Sequence, residues 1–283
     1  MRTLLWIAGT IAFFLAAFWI GFVNHFPGAA LSRYLERNLN RDPRYFASIA
    51  PAELKWNRLV IPQIRIDGGP GGTPKFLVAF NDTEIPLSFN MLSGATARTT
   101  VGGFGSVELF WPWEPGVVRV SGREIRLEAI PALAQLPAKR INGRLEFDGE
   151  FTPTDGGLPQ GRLRGRLIGV EIGEFAILGL NIGRTRLDEA RFQLSLGRVI
   201  QVETFTLQGD VQGQITGSIT PRVNRPQASL VDLQVDLAVA PQWIEQLETL
   251  GPIVESFLDE GRLRGNLRGT VGKPTFRKPR SRN

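Results

Sequence analysis

The chain has 283 residues, 42% of them apolar and 21% charged, which excludes wholesale disorder and leaves room for one large or two small domains. Gly (32) and Pro (19) together exceed the usual ~12% of a chain and favour turns and short strands over helices. A net charge of +6 and a pI near 10.3 direct attention to acidic neighbours such as nucleic acid or anionic lipid, although arginines on the wet faces of strands account for the excess equally well. Cysteine is absent, so disulfides and thiolate metal sites are excluded.

Residues 4–23 read LLWIAGTIAFFLAAFWIGFV, with no charge, no proline and one hydroxyl, Thr10. Twenty residues at ~1.5 Å rise make a helix of about 30 Å, the thickness of a bilayer's hydrocarbon core. Leu4, Trp6, Phe13, Phe14, Phe18, Trp19 and Val23 are the expected anchor residues over 1–23. The run is longer than a signal-peptide core, and Gly28-Ala29-Ala30 is a weak cleavage site, so an uncleaved anchor is expected. Arg2 before the run and Arg33, Arg37 and Arg41 after it do not fix the orientation.

Residues 24–50 form a juxtamembrane segment. Leu31, Tyr34, Leu35 and Leu39 recur at helical spacing and predict a short amphipathic helix ending before Pro43. Such a helix either lies on the membrane surface or caps one end of the body that follows.

From Leu54 the hydrophobic period becomes two, and residues 51–272 read as a β-rich domain. Leu59, Ile61, Ile64 and Ile66 predict a pair of strands broken at Pro62, and 67–74 (DGGPGGTP) a plain loop without P-loop register. Further strands are expected over 76–80, 101–110, 117–127, 169–177, 186–196, 199–207 and 228–239. Trp111, Pro112, Trp113 and Pro115 mark a turn.

Four segments carry one stripe. Gly143, Leu145, Phe147 and Gly149 alternate with charged residues, and Gly161, Leu163, Gly165, Leu167 and Gly169 alternate with three arginines and Ile168. Gly209, Val211, Gly213, Ile215 and Gly217 follow the same pattern with Asp, Gln and Thr between them. The fourth comprises Gly261, Leu263, Gly265, Leu267 and Gly269. Side chains alternate across a strand, so glycines and aliphatics share one face and polar groups take the other. Gly weakens a strand. Its recurrence must serve a bend, room for a large neighbour, or close approach of a backbone or an acyl chain. Leu145, Phe147, Leu163, Leu167, Val211, Ile215, Leu263 and Leu267 are therefore candidates for either a packing face or an apolar groove.

Two helices are expected within this body. One spans 127–136, with Pro131 in its first turn. The other spans 241–258, where Trp243, Leu247, Leu250, Val254 and Phe257 form an apolar stripe able to plug the sheet or bind a partner helix. The last residues, 273–283, form a basic tail suited to anionic head groups or to a solvated terminus.

The chemistry of catalysis is sparse. His25 is the only histidine and sits beside the apolar run, so the body has no Ser-His-Asp or Cys-His set and no His-rich metal site. Glu146, Asp148 and Glu150 share one strand face, but it is the wet one. No nucleic-acid motif with interleaved aromatics and basic residues stands out. The reading is of a non-enzyme with no cofactor, no metal and no nucleic-acid partner.

The anchor, Phe26-Pro27 after it, and the stripes Ile141-Asn142-Gly143-Arg144-Leu145, Leu207-Gln208-Gly209-Asp210-Val211 and Leu263-Arg264-Gly265-Asn266-Leu267 together resemble the type II secretion system protein N (GspN) family. A related likeness runs to AsmA-like envelope proteins, which share Leu-x-Gly-x-Leu-x-Gly strands and a Pro-led late helix. The resemblance implies a single-pass inner-membrane protein with its bulk in the periplasm, a mainly β fold with an extended, twisted antiparallel sheet and a few amphipathic helices, and a role in protein secretion through contacts with other subunits. The AsmA likeness implies instead lipid held or conducted along an apolar β-groove. Neither carries active-site residues.

Overall fold

A computed structural model describes residues 23–41, 45–68, 76–87, 93–101, 104–130, 133, 140–154, 159–177, 180–182, 184–222, 226–239, 258–259 and 262–277. Helix α1 (Gly28–Leu39) precedes strands β1 (Tyr45–Ile49), β2 (Glu53–Lys55), β3 (Arg58–Gly68), β4 (Phe76–Pro86), β5 (Gly94–Val101), β6 (Gly105–Pro112) and β7 (Val118–Arg126). After a short 3-10 turn at Leu127–Ala129 come β8 (Ile141–Thr152), β9 (Gln160–Ile172), β10 (Phe175–Ile177), β11 (Leu180–Ile182), β12 (Thr185–Leu196) and β13 (Ile200–Gly209). The chain continues through β14 (Val211–Thr220), β15 (Leu230–Val239), β16 (Leu258–Asp259), β17 (Arg262–Thr270) and β18 (Lys273–Arg277).

All but β10 and β11, which form their own hairpin, join one 16-stranded sheet. Its main path runs β1-β3-β4-β5-β6-β7-β8-β9-β12-β13-β14-β15-β17-β16, antiparallel at every step, with β2 on β3 and β18 on β17. Neighbours in sequence are almost always neighbours in space, as expected of a meander built from short turns. A mainly β, antiparallel architecture is thus what the period-two pattern predicts.

The two ends of the sheet are closed in different ways. At the first, α1 lies along β1 and satisfies its outward backbone groups. Asn40 Nδ2 donates to the Ala47 carbonyl at 3.0 Å, and its Oδ1 accepts from the Ala47 amide at 2.5 Å. Glu36 Oε1 accepts from the Ile49 amide at 2.6 Å. Ser32 Oγ donates to the Ala50 carbonyl at 2.8 Å and accepts from the Ala52 amide at 3.0 Å. The helix stands where another strand would, which removes a template for edge-to-edge association. Leu31 and Leu35 pack with Phe26, Leu59 and Ile64 around buried Ile49, Ala52 and Ile61. Of the two readings of the amphipathic helix, capping is therefore the one its contacts match. Tyr34 and Leu39, on the same predicted stripe, are nonetheless exposed. At the other end the outer strand β18 carries Lys273, Pro274 and Arg277, all exposed, and proline and charge blunt that edge.

Several element boundaries differ from the sequence reading. Pro62 does not break β3 in two. It falls between the pairing of β2 with residues 58–60 and that of β1 with residues 64–68, where no ladder amide is required on that side. Residues 101–110, expected as one strand, instead span the end of β5 and most of β6. Val170 and Ile172 close β9, whereas Phe175 begins the separate β10–β11 hairpin.

The expected helix over 127–136 is a 3-10 turn of three residues where it is described. Pro131 lacks an amide and disfavours the helical region for Ile130, which is extended at φ −96°, ψ 100°. Leu258, placed at the end of the late helix, is in β16. Residues 241–257, with Trp243, Leu247, Leu250, Val254 and Phe257, lie outside the described residues. So do the anchor residues Leu4, Trp6, Phe13, Phe14, Phe18 and Trp19; Val23 is described and helical. Among the described residues no helix is long and apolar enough to cross a membrane. The first five residues of the basic tail form β18.

Candidate functional site

The registers bring the four stripes onto one face of the sheet. One row reads Leu145, Leu167, Ala190, Leu207, Gly213, Leu237 and Leu263 from β8 to β17. The next reads Phe147, Gly165, Phe192, Phe205, Ile215, Val235 and Gly265. A third reads Gly149, Leu163, Leu194, Val202, Gly217, Leu233 and Leu267, and ends on Phe276 of β18. The third row continues the other way through Val120, Leu109 and Ala97. From β5 to β18 it crosses eleven strands, or roughly 48 Å at ~4.8 Å per strand. The linking strands β12, β13 and β15 carry apolar residues of their own in register, which no single stripe shows.

The glycines provide room on this face. A Cβ on Gly165 would stand 2.5 Å from Phe192 Cζ and 3.0 Å from Phe147 Cβ. One on Gly122 would stand 2.4 Å from Phe147 Cε1, and one on Gly265 2.4 Å from Phe276 Cζ. Each aromatic ring therefore lies over a neighbouring glycine, and large and bare positions alternate across the strands. Gly213 has a further reason: its φ is +146°, and a Cβ would meet the Asp236 carbonyl oxygen at 2.0 Å.

The side chains of these rows are covered mainly by one another. Leu163, Ile215, Leu263 and Leu267 are half-buried, and no residue of the described chain has a large side chain wholly enclosed. Among the described residues no second sheet packs across the face. One corner is filled: Leu127, Ile130 and Leu133 pack against Val170, Leu187, Leu145, Leu167, Leu207 and Val211. Leu145, Leu167 and Val211 thus belong to a packed corner. Phe147, Leu163, Ile215, Leu263 and Leu267 lie on the part of the face beyond it.

The opposite face is a lattice of ion pairs across strands. Arg98 meets Glu108 at 2.9 Å, Arg123 meets Asp148 at 2.7 Å, Arg166 meets Glu146 at 2.7 Å and Arg268 meets Asp232 at 2.9 Å. Arg262 and Arg264 share Asp236, at 2.7 and 3.4 Å. The hydrogen bond from Arg262 holds the Asp236 carboxyl below its ordinary range, and the one from Arg191 does the same for Glu189. Two shallow hollows lie on this face, one of about 510 Å³ beside Glu108, Arg119, Glu150 and Arg162, and one of about 660 Å³ walled by the Arg123–Asp148 and Arg166–Glu146 pairs. The aligned carboxylates Glu146 and Asp148 are each held by an arginine, as befits a solvated charged face.

The two long rims, where the turns lie, are unlike each other. The first holds the turns β2–β3, β6–β7, β12–β13, β14–β15 and β17–β18 and the described ends of the β4–β5 connection, and backbone hydrogen bonds run along it from Leu87 to Asn57, Trp113 to Ser93 and Val271 to Ser229. Among the described residues, seven of the eleven exposed large hydrophobics lie on or beside it: Trp56 (63% exposed), Trp111, Trp113 (58%), Val117, Val199, Leu230 and Val271. The second rim carries Glu124, Glu128, Glu171, Glu174, Asp188 and Asp210 interleaved with Arg126, Arg140, Arg184 and Arg186, and of its exposed aromatics Phe46 and Phe104 the latter lies under the Arg126 guanidinium at 4.0 Å. No periodicity marks this asymmetry in the sequence, because rim membership depends on which turns the topology places together. No family model, characterised protein or solved structure matches the chain.

Proposed function

We propose that this protein is a non-enzymatic, single-span component of the bacterial inner membrane, that it serves type II secretion, and that its working surface is the apolar face of the sheet, which holds lipid acyl chains. One observation carries the surface assignment. Three apolar rows in register cross the sheet, and no second described layer covers them beyond one corner. A face of that size is normally buried by a partner layer, because exposed apolar area costs about 25 cal/mol per Å². Its length exceeds the ~15 Å of one leaflet's acyl chains several times. The secretion setting and the membrane topology rest on the resemblance of the stripes and the N-terminal run, not on the geometry.

Two measurements test the two parts. Lipid extraction and mass analysis of the purified full chain, with photocrosslinkers at Leu163, Ile215 and Leu267, tests the face. Co-purifying lipid crosslinked at those positions is expected, with none at the charged-face position Gln193. Purified protein free of lipid, with no crosslinks, sinks the acyl assignment. Deletion in the native host tests the setting: export of folded substrates across the outer membrane should fall, and unchanged secretion removes that part.

A further inference from the structure

We infer that the first rim of the sheet docks on the surface of an anionic phospholipid bilayer, side-on. This rests on the reading of the chain as membrane-tethered and names the surface the body meets. Three features coincide on that rim. Trp56, Trp111 and Trp113 are exposed there, and tryptophan partitions to the interface between head groups and acyl chains. Val199 and Val271 project from the tips of the β12–β13 and β17–β18 turns, 44% and 52% exposed. Each has a basic neighbour, Arg198 and Lys273, and Lys55 and Arg222 stand exposed on the same rim. Acids are few: Glu53 and Glu114 are exposed among the described residues there, and Glu84 is taken by Arg58 at 3.1 Å. On the second rim the acids are matched by Arg126, Arg140, Arg144, Arg184 and Arg186, with Arg144 on Glu124 at 3.0 Å and Arg186 on Asp188 at 3.5 Å, so it offers no basic excess to an anionic surface.

The helix α1 supplies a separate argument. It runs antiparallel to β1, with Asn40 beside Ala47 and Gly28 against Ala52, the residue that leads into β2. Its first turn is therefore directed toward the first rim, and the apolar run of residues 4–23 ends four residues before it. A tether entering there holds the body with that rim toward the bilayer. Docked in this way, the apolar face meets the bilayer along its length, and a chain leaving the leaflet reaches the rows past the tryptophans.

Because the chain lacks cysteine, single cysteines report cleanly. Val199→Cys, Val271→Cys and, on the other rim, Asp188→Cys are labelled with an environment-sensitive fluorophore. The full chain is then reconstituted in vesicles of phosphatidylcholine alone or of equal parts phosphatidylcholine and phosphatidylglycerol. Labels at 199 and 271 should shift to the blue and be quenched by lipid-borne quenchers in the mixed vesicles, while the label at 188 does not. Each of Arg198→Glu, Arg222→Glu and Lys273→Glu should lower the docked-to-undocked ratio at least about five-fold, the equivalent of ~1 kcal/mol for a basic side chain at such a surface. Arg198 and Arg222 lie in turns and Lys273 opens the outer strand β18, and thermal melts check that the sheet is retained. Equal signals from both rims, equal docking in phosphatidylcholine alone, or rim labels that are silent in vesicles yet shielded in native envelopes by a protein each overturn the inference. Photocrosslinks at Leu163 and Leu267, read in the same vesicles, separate the two proposals. Docking without crosslinks fails the acyl-chain reading, and crosslinks without docking fail this one.

Discussion

Replacing Gly165 by alanine asks whether the stripe glycines exist for space. The added Cβ would lie 2.5 Å from both the Glu146 carbonyl oxygen and Phe192 Cζ, where real contacts begin near 3.4 Å. Overpacking of this kind costs about 1–3 kcal/mol, offset by up to ~1 kcal/mol from the reduced freedom of the unfolded chain. A net loss of about 1–2 kcal/mol corresponds to a fall in Tm of roughly 2–8 °C for a body of this size. Thermal unfolding by circular dichroism in micelles measures it. The double variant with Phe192→Leu should lose at least ~0.5 kcal/mol less than the sum of its parts, because the shorter side chain vacates the space over residue 165. Recovery should be partial, since the Glu146 carbonyl cannot move away. Gly169→Ala is the contrasting case. Nothing stands within 4 Å of its Cβ, but its φ is +59°. It should cost about 1–2 kcal/mol through backbone strain alone, with no coupling to Phe192. The reasoning is refuted if Gly165→Ala leaves Tm unchanged, or if Phe192→Leu rescues Gly169→Ala as well as it rescues Gly165→Ala.

Asn40→Ala leaves the Ala47 amide and carbonyl without their side-chain partners. A loss of about 1–3 kcal/mol is expected, along with concentration-dependent association through β1 seen by light scattering. Ile215→Glu, on the open part of the apolar face, should abolish lipid co-purification while costing little stability, whereas Leu187→Glu, in the packed corner, should unfold the sheet locally, as read by hydrogen exchange. The pH dependence has a definite sign. Asp236 and Glu189 have lowered folded-state pKa values, so their pairs contribute fully above the ordinary carboxylate range near pH 4 and lose that contribution as pH falls through the folded values. Both groups are half-buried on the wet face and their arginine partners reach solvent, so screening keeps the effect small. Tm should be flat from pH 7 to 5 and fall below pH 4, and Asp236→Asn should reduce that fall.

The period-two alternation from Leu54 onward determined by itself that the body is a sheet with one apolar and one polar face, since a strand has no other way to place such a pattern. It also determined that Leu145, Leu163, Ile215 and Leu267 share a side of their strands. Other features were not legible. Pro62 looked like a break, and only the change of partner from β2 to β1 beside it makes it harmless. The helix pattern of 31–39 left capping and surface-lying readings equally open, because the outward backbone of β1 that Ser32, Glu36 and Asn40 satisfy is set by pairing elsewhere. Registers decided that Gly165 lies between Phe147 and Phe192. The placement of the turns decided that residues as distant in sequence as Trp56 and Val271 share a rim. Periodicity is a local property of backbone geometry, so the sequence displays it. Which strands adjoin, and hence which faces stay uncovered and which turns line up, is settled only when the whole sheet is paired.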